Sequence, residues 1–201
     1  MQKILNVYYD YPNSASDTYL KYLTKDCEKN GIEVRVIDNP REWRKKDIGR
    51  TLVLKPTLED TNIIESIDEN VDAPSATATG IYNYITKMYP NREMVIGVIG
   101  RGNVGKELLD MLIDYGYTVI EMNSKTKMSQ MDWLSDCCNI LVGLSSQDNI
   151  LSTQQCDFLT HINHCVLIDA SNNFPTTEKL RCGKWTRTEI INRINKYYGE
   201  Q

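Results

Sequence analysis

The chain has 201 residues, of which 41% are hydrophobic and 25% charged, with a formal net charge of −4. That length and apolar content suit one large or two small globular domains with a real core, and the mild acidity, without a basic tail or arm, argues against phosphate-backbone binding as the main task. The longest apolar stretches, such as residues 94–100, fall far short of the roughly 20 residues that a membrane helix needs, and the N-terminus runs straight into a strand pattern with no signal-peptide h-region. The expected location is therefore the cytoplasm, with neither a membrane nor a nucleic acid as partner.

Strand and helix patterns alternate from the first residue to about residue 170, the signature of a parallel sheet covered by helices. Residues 4–9 read as a strand and residues 16–30 as a helix, in which Tyr19, Tyr22, Leu23 and Cys27 share one stripe. Strands at 34–37 and 51–54 follow, separated by a charged stretch around Trp43 that reads as one short helix, and residues 58–67 read as a further helix. After Asp72-Ala73-Pro74-Ser75 the character changes. A helix runs from near Thr77 to Met88, ended by Pro90-Asn91.

The second half opens with the continuous apolar run 94–99, of the kind buried in a parallel sheet, and Gly100 follows at once. From residue 103 to 115 the apolar positions Val104, Leu108, Met111, Leu112 and Tyr115 keep helical spacing; strands at 118–122, 140–144 and 166–168 come next. A last helix, roughly 186–198, carries Ile190, Ile191 and Ile194 on one face. The expected fold is α/β, with a small N-terminal α/β lobe, a C-terminal Rossmann-type doubly wound parallel sheet, and a substrate cleft between them. The expected domains are residues 1–75, the N-terminal α/β lobe, and residues 76–201, the Rossmann-like domain that includes the interdomain helix and the C-terminal helix.

None of the six cysteines forms a C-x-x-C pair, and they read as reduced, mostly buried thiols. His161, His164 and Cys165 could be drawn as a metal cluster. Cys165, however, opens the apolar run Cys-Val-Leu-Ile and is better explained as strand core, and structural zinc wants four ligands; no metal is expected.

The chemistry is concentrated in Gly100-Arg101-Gly102-Asn103-Val104-Gly105. Such a loop binds a dinucleotide because it makes a tight turn, lets the backbone approach the pyrophosphate, and opens a helix whose N–H groups face the anion. The motif follows a strand, opens a helix, and sits in a unit of about 30 residues, as this fingerprint requires. The next strand ends near Glu121, but the residues beyond it, Asn123, Ser124, Lys125 and Thr126, offer a cation with hydroxyl and amide donors. That set suits the 2′-phosphate of NADP better than a free ribose diol, with NAD as the alternative cofactor. A solvated polar turn is the other reading of residues 123–126.

Several segments together resemble the bifunctional methylenetetrahydrofolate dehydrogenase/cyclohydrolase family. The segment 118–126 after the Gly-Arg loop, Asn139-Ile-Leu-Val, and Leu167-Ile-Asp169-Ala-Ser-Asn-Asn173 are similar to the family's C-H-S-x-T, D-I-L-V and V-I-D-x-G-x-N segments, and Ser16-x-x-Tyr19 and Val71-Asp72 to its catalytic helix and K-D-V-D-G segment. Residues Ala76-Thr77-Ala78-Thr79-Gly80 stand where the family reads P-C-T-P-x-G. The resemblance covers most of the chain and implies an NADP-linked oxidoreductase, with Tyr19 flanking a folate ring, Asp72 accepting from the pterin, and Ser145 and Asn173 beside the cofactor. Tyr19 equally reads as a residue of the core stripe, and Asp72 as the start of a turn. The expected partner is a small-molecule substrate, a reduced folate where the resemblance holds; a homodimer is allowed.

The departures bear on which reaction survives. Leu23 stands where the family has its catalytic lysine, and Leu54 where it has the assisting glutamine; no P-G-G-V-G-P-M-T segment follows Asn173. Ring hydrolysis needs positioned acid/base groups, worth roughly 10²–10⁴ in rate, whereas hydride transfer needs mainly alignment of donor and acceptor. The expectation is a dehydrogenase of the methylenetetrahydrofolate type without cyclohydrolase activity. The alternatives are a non-catalytic relative that binds a dinucleotide or a folate-like ligand, and a dehydrogenase of another small substrate.

Overall fold

Strand β1 (Lys3–Tyr9) turns Leu5 and Val7 to one face, where both are buried. Helix α1 (Ser14–Lys29) covers that face with Leu23 and Cys27, four residues apart and both fully buried. Gly31, at φ 68, lets the chain reverse into β2 (Ile32–Ile37). With β3 (Thr51–Leu54) and β4 (Ile63–Ser66) these strands make a sheet of order β2–β1–β3–β4; β1 is parallel to β2 and β3, and β4 is antiparallel to β3. The computed structural model describes residues 3–9, 14–37, 51–54, 63–66, 75–123, 126, 138–145 and 147–199.

Strand β4 corrects the sequence reading, which has a helix over residues 58–67. Ile63 and Ile64 are adjacent β-branched residues, and pairing them with Leu54 and Val53 on the open edge of β3 overrides a local helical pattern. The short helix expected around Trp43 lies outside the described residues.

Past helix α2 (Ala76–Met88), strand β5 (Val95–Ile99) leads into helix α3 (Asn103–Tyr115), which Gly116 closes in the left-handed conformation before β6 (Thr118–Met122). Strand β7 (Ile140–Gly143), a short helix α4 (Thr153–Asp157) continued by one π-helical turn over Phe158–Ile162, then β8 (Val166–Asp169) and β9 (Leu180–Arg181) follow. All five strands are parallel, in the order β6–β5–β7–β8–β9. From β5 the chain winds outward to β6 and then crosses to β7 on the other side. The sheet therefore has a topological switch point between β5 and β7, and ligands of open α/β sheets sit beyond the carboxyl ends of the strands at such a point.

The last helix, α5 (Gly183–Gly199), belongs with the first strands. The chain divides into one unit of Met1–Thr79 with Gly183–Gln201 and another of Gly80–Cys182, whereas the sequence reading cuts at 75/76 and groups the final helix with the second domain. The reason is the apolar face of α5. Ile190, Ile191 and Ile194 join Leu5, Val7, Leu23, Cys27 and Ile32 in one buried cluster, each burial worth about 1.5–3 kcal/mol. Polar links add direction to this packing. Arg187 Nε meets Asp26 Oδ2 at 2.7 Å, Lys3 Nζ donates to Asn195 Oδ1 at 2.7 Å, and the Tyr198 hydroxyl accepts from the Ile4 amide at 3.1 Å. Among the described residues no helix is long and apolar enough to cross a membrane.

Candidate dinucleotide site

The loop after β5 places its three glycines in three different situations. Gly100 has φ 109, and a Cβ on it would stand 2.8 Å from the Leu144 carbonyl carbon and the Ser145 nitrogen. Only glycine makes that turn against the neighbouring loop. A Cβ on Gly105 would run into the Gly100 carbonyl oxygen, so this position lets the first turn of α3 close down on the strand end. Gly102 differs from both: nothing lies within 4 Å of where its Cβ would be. A tight turn, an open approach and a close helix–strand contact are the three requirements of a pyrophosphate loop.

The open position is also where the amides point. Gly102 is the N-cap of α3, at φ −67 and ψ −179, with no side-chain cap among the described residues. The Lys106 amide is the one that donates to the Gly102 carbonyl, at 2.9 Å. The amides of Asn103, Val104 and Gly105 therefore precede the first intrahelical bond, at the positive end of the helix. Asn103 is exposed and Val104 half-buried. The cradle fits an anion such as the dinucleotide pyrophosphate.

Residues from three further strand ends are tied to one another beside this loop. From the β6 end, Glu121 Oε1 lies 3.5 Å from Arg101 Nε and accepts from Asn123 Nδ2 at 3.2 Å. The Asn123 amide donates to Thr126 Oγ1 at 3.0 Å while the Thr126 amide donates to the Asn123 carbonyl at 2.9 Å. From the β7 end, Ser145 sits against Gly100, and its hydroxyl accepts from the Gln147 amide at 3.1 Å. From the β8 end comes Asn173, fully buried, whose Oδ1 accepts from the Ser145 amide at 3.2 Å and whose Nδ2 donates to the Ser145 carbonyl at 2.9 Å and to the Gln147 carbonyl. Asn173 thus ties down the backbone of Ser145 and Gln147, with both amide hydrogens engaged. Ser124 and Lys125 lie outside the described residues.

Beneath these loops is a buried ion pair. Asp169, 1% exposed at the end of β8, meets Lys179 Nζ at 2.6 Å and accepts from the amides of Ser171, Asn173 and Phe174. The Lys179 ammonium also donates to the Phe174 carbonyl. A carboxylate is kept charged in an apolar setting only with such partners, and here they fix the turn that carries Asn173. The sequence reading passed over Lys179, because nothing in its local pattern distinguishes a buried lysine from the solvated ones around it.

The candidate substrate residues have a different setting. Tyr19 is half-buried against the core of the first unit, its hydroxyl oxygen is buried, and the Arg187 guanidinium lies 5.9 Å from its ring centroid. Leu23 is 0% exposed within that core, under the isoleucines of α5. Asp72 lies outside the described residues. Leu54 ends β3, paired with Ile63. Of the three residues considered for a metal, Cys165 is buried in the core of the second unit, and His161 Nε2 faces Glu178 Oε1 at 3.3 Å. No group of three potential ligands forms among the described residues.

No protein-family model and no curated protein matches the sequence. Solved structures do share the fold. The bifunctional methylenetetrahydrofolate dehydrogenase/cyclohydrolase of Campylobacter jejuni superposes over 100% of this chain and 89% of its own, with a TM-score of 0.71 at 18% identity. The Trypanosoma brucei dehydrogenase-cyclohydrolase, solved with NADP and an inhibitor, covers 98% of this chain and 87% of its own, with a TM-score of 0.71 at 12% identity. The NAD-dependent methylenetetrahydrofolate dehydrogenase of Saccharomyces cerevisiae gives a TM-score of 0.68 at 12% identity, over 98% of this chain and 87% of its own. The chain therefore has the fold of NAD(P)-dependent dehydrogenases of this kind.

Proposed function

We propose that the protein is an NADP-linked oxidoreductase of the methylenetetrahydrofolate dehydrogenase type, without cyclohydrolase activity. The observation that carries the cofactor assignment is the contrast between the three glycines: Gly100 and Gly105 are sterically required by their neighbours, while Gly102 is bare and faces open space at the head of α3. A bound nicotinamide dinucleotide would supply the hydride acceptor. The chain's own part is to hold the pyrophosphate on the amides of residues 102–105 and to take the adenosine ribose and its phosphate at Arg101, Asn123, Ser124, Lys125 and Thr126. Ser145, held by Asn173, would flank the cofactor on its other side. Structures of the same fold that are described with NADP or as NAD-dependent support this reading.

The absence of hydrolysis follows from Leu23. A residue buried among isoleucines exchanges no protons, and a lysine at that position would have to be desolvated to be accommodated. The same burial favours a second reading, a dinucleotide-binding protein without catalysis, because the Tyr19 hydroxyl is buried as well. Measuring NADPH formation from methylenetetrahydrofolate alongside calorimetric NADP binding separates the two. Turnover that falls in Tyr19→Phe and Asp72→Ala supports the dehydrogenase with the roles assigned here. NADP binding without turnover establishes the second reading, and failure of both NADP and NAD to bind at millimolar concentration refutes both.

A further inference from the structure

Glu121 is the penultimate residue of β6, opposite Val98 of β5, and so stands at the sheet edge from which the glycine loop leaves. Its carboxylate engages two of the donors assigned to the cofactor: Arg101 from the glycine loop at 3.5 Å and the Asn123 side chain at 3.2 Å. At this edge of a dinucleotide-binding sheet, a carboxylate binds the ribose 2′-hydroxyl of NAD and an arginine accommodates the 2′-phosphate of NADP. This chain presents both groups, and they are paired with each other. The side chains are 60% and 28% exposed, so the pair is solvent-screened and weak enough for a phosphate to displace.

We propose that Glu121 sets the choice between NADP and NAD by contending with the 2′-phosphate for Arg101. This rests on the dinucleotide reading of the glycine loop. With NAD, Glu121 keeps Arg101 and can accept from the ribose hydroxyl. With NADP, Arg101 must leave the carboxylate for the phosphate, and the carboxylate is left beside a group of like charge. The chain is therefore a less discriminating NADP binder than its cation-rich strand end suggests.

The test is calorimetric titration of NADP and of NAD into the wild-type chain, Glu121→Gln and Arg101→Ala. Removing the charge of Glu121 while keeping its shape should tighten NADP about fivefold, the effect of one exposed, solvent-screened charge pair, and leave NAD unchanged or weaker. Arg101→Ala should weaken NADP about fivefold and NAD by less than about twofold. If both cofactors bind and the ratio of their affinities is the same in Glu121→Gln as in the wild type, the role given to Glu121 is wrong. If neither binds to any of the three chains, the dinucleotide reading fails and this inference fails with it, an outcome distinct from an unchanged ratio.

Discussion

Replacing Gly102 with aspartate should push stability and binding in opposite directions. The backbone at φ −67 and ψ −179 is one that any residue adopts, no side chain caps α3, and the space around the missing Cβ is empty. An aspartate there can accept from the amides of Val104 or Gly105 and sits at the positive end of the helix. Relative to glycine, the cap adds a few tenths of a kcal/mol and the dipole about 0.3–1 kcal/mol. The loss of unfolded-chain freedom adds about 0.4–1 kcal/mol. A net gain near 1 kcal/mol raises the melting temperature of a unit of about 100 residues by roughly 4–8 °C. Binding suffers twice, because the carboxylate occupies the amides meant for the pyrophosphate and repels it. One pair of like charges about 4 Å apart costs about 4 kcal/mol at an effective dielectric constant of 20, close to a thousandfold in affinity. Scanning fluorimetry without ligand and calorimetry with NADP on the same preparation read both effects. Wild-type NADP affinity in Gly102→Asp would refute the assignment of the loop, and a melting temperature several degrees lower would show that the loop is packed and not open.

The opposite pattern is expected at Gly105→Ala, where the new methyl meets the Gly100 carbonyl: a loss of about 1–3 kcal/mol by urea denaturation. Leu23→Lys should restore no cyclohydrolase activity and should destabilise the first unit by about 3 kcal/mol or more, through lost apolar burial and a desolvated ammonium, read as an earlier unfolding transition. Lys179→Met should cost about 3–5 kcal/mol by stranding the Asp169 carboxylate, and the double change with Asp169→Asn should recover part of that loss in a thermal melt. Burial pushes the thiols of Cys27 and Cys165 up to about 12 and that of Cys156 up to about 11, from 9.0. Native-state labelling of Cys27 and Cys165 at pH 8 should therefore be about 10³-fold slower than that of an ordinary thiol. The stability these raised values contribute is whole below pH 9.0 and is lost as pH rises towards 11–12, because the unfolded chain releases those protons first.

What the sequence disclosed were features whose cause is local. The run before Gly100 had to be a buried strand, the spacing Val104, Leu108, Met111, Leu112 had to be a helix, and the glycines between them had to turn. These expectations match β5, α3 and the turn at Gly100. Other features were legible but went unread: Ser152 and Gln155 form a capping box at the start of α4, in the spacing such boxes require. What could not be read depended on partners far along the chain. Strand β4 exists because β3 has an open edge, and α5 joins the first unit because its isoleucines complete a core begun by Leu5 and Val7. The Asp169–Lys179 pair and the pairing of Glu121 with Arg101 likewise appear only when separate strand ends are brought side by side.

On the function proposed here, this division also accounts for the loss of one reaction and the retention of another. Hydrolysis of a methenyl ring depends on the chemical identity of a few side chains, and the position expected to supply the proton-moving lysine is filled by Leu23, at the centre of a core that α5 closes over. Restoring that chemistry would require dismantling the packing that holds the first unit together. Alignment of a cofactor would depend instead on backbone shape: amides at the head of α3, a bare Gly102, and the backbone of Ser145 pinned by Asn173. That shape is itself over-determined, since the turn carrying Asn173 is tied by three amides and an ammonium to one buried carboxylate. A buried ion pair contributes little net stability, so its worth here lies in fixing a single arrangement of the loops. The ordered polar network of this protein therefore fixes the loop surface presented at the β5–β7 switch point, where ligands of open α/β sheets sit.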